Sequence, residues 1–117
     1  MAMANVVLRV EGEVVGTQWV FLVSILVHDL QTDTWRAATA GEAHVKLIEV
    51  RWGILPDRLL DEKNTDSSGK APFNAAAYYS AGRYRIEAEH NVSHDTAGVL
   101  ITCEEDGSWW IEEAYTP

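Results

Sequence analysis

The side chains that could bind a metal or move a proton are four histidines, one cysteine and 18 aspartates and glutamates. His90 and His94 stand four residues apart with Asp95 alongside, and His28 and His44 lie elsewhere. A zinc centre needs three or four such ligands converging at about 2 Å. Four-residue spacing puts two side chains on one face of a helix, but not where a strand runs into a loop. The expectation is therefore solvated loop histidines and no metal. Asp61, Glu62, Asn64 and Asp66 make an oxygen-rich run, yet the ligand and glycine order of an EF-hand is absent. That run reads as a solvated loop, with a calcium site at a domain junction as the alternative. Glu104, Glu105 and Asp106 read as turn residues.

Other chemistry finds no framework. Glu112 and Glu113 are neighbours in a strand, point to opposite faces and cannot act as an acid/base pair on one substrate. Cys103 alternates with Val99 and Ile101, which suits a buried structural thiol, and no Cys-His-Asn order accompanies it. Ser67-Ser68-Gly69 is no nucleophile elbow. No catalytic residue and no cofactor is expected, and a small metal-dependent hydrolase is the remotest reading.

The five tryptophans are more informative. Trp109 and Trp110 are adjacent on one strand, so one can enter the core while the other faces outward. Exposed flat aromatics anchor protein interfaces or stack on sugar rings. Trp35, Trp52, Trp109 and Trp110 are accordingly the candidate ligand- or partner-binding residues, with cover by Arg36 or Arg51 as the bland alternative.

Residues 1–117 fit one domain, and 47% hydrophobic content is enough for a core without disulfides or a metal. The formal net charge of -9 argues against nucleic acid and against an anionic membrane surface. A single cysteine excludes an internal disulfide. Met1-Ala2-Met3-Ala4 lacks a signal-peptide pattern, and the apolar run 19–27 is too short for a membrane-spanning helix. The sequon Asn91-Val92-Ser93 matters only in a eukaryotic secretory setting.

The elements read as strands. Residues 64–89 hold a turn at Asp66-Ser67-Ser68-Gly69 and a short run through Phe73. A turn at Ser80-Ala81-Gly82 then opens a clean alternation: Tyr84, Ile86 and Ala88 against Arg83, Arg85, Glu87 and Glu89. One dry face, one wet face and tight turns are the pattern of an antiparallel sandwich. Val6 to Val15 predicts a first strand with a bulge or bend at Gly12. Residues 19–28 are apolar on both faces, which predicts a central strand or one at an interface. Residues 29–42 read as a long connection, and residues 43–52 as a strand with a bulge where the pattern slips. Residues 58–61 read as a short edge strand or a helical turn, and residues 71–79 hold a short strand. Residues 99–105 and 109–115 form a last hairpin joined at Asp106-Gly107. Seven to eight strands and no helix result, an all-β fold.

Thr65-Asp66, Gly69-Lys70-Ala71, Phe73, Ala81-Gly82, Tyr84 and Ala88 reproduce a pattern T-D-x-x-G-K-A-x-F, spacer, A-G-x-Y-x-x-x-A. With Val27-His28-Asp29 and Gly41-Glu42-Ala43-His44-Val45-Lys46-Leu47, it resembles bacterial immunoglobulin-like domains of the invasin and intimin type. It is similar, more loosely, to transthyretin-like and carboxypeptidase-regulatory-like sandwiches. The resemblance spans residues 20–92 and implies an immunoglobulin-like antiparallel β-sandwich with no catalytic residues. It implies a structural or adhesive module mediating protein binding or self-association at a bacterial surface or on a phage or virus particle. Tyr84 would then act as a tyrosine-corner residue whose OH returns to nearby backbone. A carbohydrate-binding module that uses exposed tryptophans is the alternative. The connection 29–42 and the Trp109-Trp110 hairpin lie outside the pattern, and specific function is expected there.

Overall fold

The computed structural model describes residues 4–15, 18–51, 53–74, 81–106 and 108–117, and among them there is no helix. The strands are β1 (Ala4–Val15), β2 (Gln18–Asp29), β3 (Thr34–Ala37), β4 (Ala43–Val50), β5 (Arg58–Asn64), β6 (Lys70–Asn74), β7 (Gly82–His90), β8 (Thr96–Cys103) and β9 (Trp109–Tyr115). All pairings are antiparallel. One sheet has β1 on one side of β2, and β3 and β6 end to end along the other. The second sheet runs β5-β4-β7-β8-β9. β1, β2 and β6 against β5, β4, β7 and β8 reproduce the immunoglobulin-like order, to which β3 and β9 are added.

The alternation read from the sequence is the alternation that packs. Phe21, Val23, Ile25 and Val27 of β2 face Val45, Leu47, Tyr84, Ile86, Val99 and Ile101 of the larger sheet, all buried. The Phe21 and Tyr84 rings meet across the sandwich at 6.0 Å with a 51° tilt. On the outer side of β2, Leu22, Ser24 and Leu26 are half-buried. The side chain of Trp19, Trp52, residues 75–80 and the turn glycines 16 and 107 lie outside the described set, so expectations there are not addressed.

Four details differ from the sequence expectations. Asp61, Glu62 and Asn64, expected in a loop, form the second half of β5 and pair with β4. Residues 29–42 are not an unbroken connection, because Thr34–Ala37 forms β3. Thr34 and Trp35 are good strand formers, and the edge of β2 beyond β6 is open to receive them. Gly12 makes no bulge: β1 and β2 keep one register throughout, with Gly12 opposite Phe21, a glycine–aromatic pairing that a regular ladder accommodates. The slip expected in β4 belongs to β5. There Leu60 is the extra residue between the Leu47–Asp61 and Ile48–Leu59 pairs, and it packs against the core.

Two of the chain's crossings between sheets, residues 38–42 and 65–69, lie at one end. That crossover end also holds the β2–β3 turn, the loop 91–95, the start of β1 and the end of β9. Ile25 marks the junction of β3 with β6: its N–H donates to Gly69 O at 2.8 Å and its carbonyl accepts from Ala38 N–H at 2.9 Å. Gly69 has φ 75°, and a Cβ there would lie 2.8 Å from the backbone N and O of Ala38. Gly41 and Gly53 share a positive φ but have open space around them. Gly69→Ala is therefore expected to lose about 2–4 kcal/mol in urea denaturation, combining left-handed strain with a backbone clash. Gly53→Ala should lose only about 1 kcal/mol; equal losses would show that strain alone acts at Gly69.

Candidate functional site

The row of inward side chains on β7 does not stop at Ala88. One more step of the alternation places His90 inside, 3% exposed, at the crossover end. A buried imidazole needs polar partners on both nitrogens. Its Nδ1 accepts from the backbone N–H groups of Ser93 (3.0 Å) and Val92 (3.3 Å), so in the neutral ring Nε2 carries the proton and donates to Glu42 Oε2 at 2.8 Å. Glu42 is the hub of this end. Arg36 donates to both its oxygens at 2.6 Å, and Thr39 adds its N–H at 2.9 Å and its hydroxyl at 3.2 Å. The Arg36 pair above all, then the Thr39 N–H and His90, hold the Glu42 carboxyl well below the usual carboxylate range, against a burial that pushes the other way.

Around this carboxylate the crossing segments are laced together. Thr65 Oγ1 donates to Thr39 O and accepts from Ala43 N–H, while Gly41 N–H donates to Thr65 O. Asn91 donates its side-chain amide to Gly41 O at 2.7 Å and its backbone N–H to Glu42 O. The sequon asparagine is thus a structural donor. Contrary to the expectation of a solvated loop histidine, His90 is buried. Its burial follows from continuing the β7 alternation one step further.

The other histidines are engaged separately. His28 Nε2 bonds Asp33 at 2.7 Å, His44 Nε2 lies 3.5 Å from Glu62, and exposed His94 meets Glu89 at 3.1 Å. Among the described residues no three His, Cys, Asp or Glu side chains are grouped to hold a metal ion. Of the oxygen-rich run, Asn64 bonds His44 and Asp66 closes its own turn by accepting from Ser68 and Lys70 N–H. Glu112 and Glu113 do not point to opposite faces as expected: Glu112 is the extra residue of a bulge in β9, bonded by Thr102 and paired with Arg83 at 2.7 Å on the outer face, and Glu113 pairs with Leu100 on that same face. Cys103 is buried, and desolvation pushes its thiol up to about 12, which makes it inert.

The tryptophans divide as their positions dictate. Trp109 pairs with Cys103 and packs on the core; Trp110 pairs with Thr102 and is 46% exposed on the outer face. Trp35 on β3 is exposed and stacks on His28. Trp35 and Trp110 are on different sheets, so they do not form one surface. β9 is held firmly from its outer side. Tyr115 lies over Gly98, where a Cβ would be 2.7 Å from its ring, and its OH donates to Glu87 at 2.6 Å. At the opposite end of the sandwich Ile54 and Leu55 are exposed in the loop after Gly53.

No family model, no curated protein and no solved structure matches this chain. The all-β sandwich is established by its strand order and packing alone.

Glu42→Gln leaves Arg36 and His90 with a weaker acceptor and should lower stability by about 2–3 kcal/mol at pH 7. A carboxyl whose folded pKa is depressed stabilises fully above its unfolded value, near 4.5 here, and loses that contribution as pH falls below it. The gap between wild type and Glu42→Gln in chemical denaturation should therefore shrink steadily below about pH 4.5. A gap that stays constant with pH would remove Glu42 from this role.

Proposed function

We propose that this chain is a non-enzymatic, immunoglobulin-like adhesive or assembly module that binds a protein partner along β9. The observation that carries this reading is the unequal width of the two sheets. β1 lies across β7 and β8 and β6 meets β5, so β9 extends past the smaller sheet. Ile101 and Ile111 are direct cross-strand partners on the same face, yet Ile101 is 0% exposed and Ile111 is 46% exposed. The core ends between them. With Trp110 open on the other face, β9 is the last strand of its sheet among the described residues, with an apolar side chain on each side and an edge to which a further strand could be added. Its ties through Glu112 and Tyr115 supply a rigid edge, which lowers the entropy lost on docking.

Charge selects the partner. Glu112 and Glu113 sit on this edge, and the chain carries a net charge of -9. A second copy would bring its own glutamates against them, and the bulge at Glu112 interrupts regular pairing. A partner strand with lysine or arginine beside apolar residues fits better than self-association. The invasin- and intimin-type resemblance supports a setting on a bacterial surface or a phage or virus particle.

The test is a selection from a displayed library of ten-residue peptides, with the wild-type chain and the Trp110→Ala/Ile111→Lys double variant as baits. Wild type should enrich peptides alternating apolar and basic residues. The double variant should lose at least about ten-fold of that enrichment at unchanged melting temperature. Equal enrichment by both baits would sink the assignment to β9. Sedimentation equilibrium should show a monomer at concentrations up to about 100 µM, well below the range in which the disfavoured self-pairing would register.

A further inference from the structure

The β2–β3 hairpin carries a second exposed aromatic whose surroundings differ in kind from those of β9. Trp35 and His28 are cross-strand partners, and their rings stack at 4.2 Å with only 6° between planes. His28 is fixed in turn by Asp33, whose carboxylate lies 2.7 Å from Nε2. Asp33 reaches it from a left-handed backbone conformation, φ 52°. Aspartate adopts this region readily in turns, so the conformation serves the turn that carries Trp35. Asp29 closes the same turn by accepting from the N–H groups of Gln31 and Thr32, and the hydroxyls of Thr32 and Thr34 bond each other at 2.7 Å. The result is an indole plate backed on one face, 55% exposed, on a turn already closed by its own hydrogen bonds.

We propose that Trp35 is a stacking site for a neutral pyranose of an oligo- or polysaccharide. Three features select that ligand. The open indole face suits the apolar C–H face of a sugar ring, and the His28 backing has already removed the freedom that stacking would otherwise take away. The rim is polar: the exposed Asp33 carboxylate accepts hydrogen bonds from hydroxyls, and Thr32 and Thr34 can give and accept them. The carboxylates of Asp29 and Asp33, within a chain of net charge -9, disfavour uronic, sialylated or sulfated sugars. A protein hot spot is, by contrast, an aromatic at the centre of a desolvated apolar patch. Around Trp35 the hairpin offers Gln31, Thr32, Asp33 and Thr34, with Leu30 as another large exposed apolar side chain. An arginine-rich peptide, stacking a guanidinium on Trp35 and pairing with Asp33, is the rival ligand.

The experiment titrates the whole chain with hexasaccharides of β-glucose, mannose, xylose and N-acetylglucosamine, and with a hexa-arginine peptide, by calorimetry. At least one neutral hexasaccharide should bind with Kd below about 1 mM. Its affinity should fall at least about ten-fold in Trp35→Ala, fall less in His28→Ala, stay unchanged in Trp110→Ala, and survive 0.5 M salt. Melting temperatures confirm that each variant is folded. The proposal is overturned if no hexasaccharide binds below about 1 mM, or if binding survives Trp35→Ala. It is equally overturned if only the arginine peptide binds, in a Trp35-dependent and salt-sensitive way. These residues are separate from β9, so failure here leaves the β9 reading standing, and the reverse.

Discussion

The carboxylate of Glu42 is the interaction on which the crossover end depends. Residues 38–42 and 65–69 leave one sheet and enter the other, so their backbone groups lose the regular ladder that would satisfy them. An unpaired buried backbone group is expensive, and a sandwich must supply substitutes wherever its chain changes layer. Here one side chain organises the substitution. Glu42 holds Arg36 from β3, Thr39 from the crossing segment and His90 from β7. Thr65 and Asn91 complete the set with bonds to Thr39 O and Gly41 O. β3 and β7 belong to different sheets, so this cluster joins the layers by polar bonds where the apolar core runs out.

The rest of the core is simpler. Between the crossover end and the far loops, the sheets meet through Phe21, Val23, Ile25, Val45, Leu47, Phe73, Ile86 and Ile101, all essentially without solvent contact. Each such side chain contributes roughly 1.5–3 kcal/mol by leaving water, so the interior supplies most of the stabilisation. The polar cluster supplies register: with Gly69 pressed against Ala38, it fixes which residues of the crossing segments lie opposite one another. Core and crossover thus divide the work between stability and specificity.

What the sequence disclosed follows the same division. The dry-and-wet alternation of β7 needed only period-2 counting, and Tyr84, Ile86 and Ala88 are buried as that count requires. The turn at Asp66 to Gly69 was legible because its chemistry is local: a carboxylate bonding its own backbone and a glycine at positive φ. β3 was not legible, because two strand formers, Thr34 and Trp35, within a polar and alanine-rich segment become a strand only when an edge of β2 is left open beside them. The Leu60 bulge was assigned to the wrong strand, since a slip in the pattern shows that two strands fall out of step but not which one carries the extra residue. Exposure at Ile111 depends on where the opposite sheet stops, which no spacing along one strand reveals. Trp35 and Trp110 were visible as aromatics in want of a partner; that they occupy separate surfaces required the topology.

The added strand β9 also changes how the domain would carry mechanical load. In an immunoglobulin-like sandwich that ends at the position of β8, the chain enters at one end and leaves at the other, so tandem copies form a line and tension shears whole ladders of hydrogen bonds together. β9 turns the chain back, and Tyr115 finishes at the end from which β1 departs. Tension applied between the start of β1 and the end of β9 would peel β9 from β8 one bond at a time, beginning near the Tyr115–Gly98 pair, a geometry of low resistance.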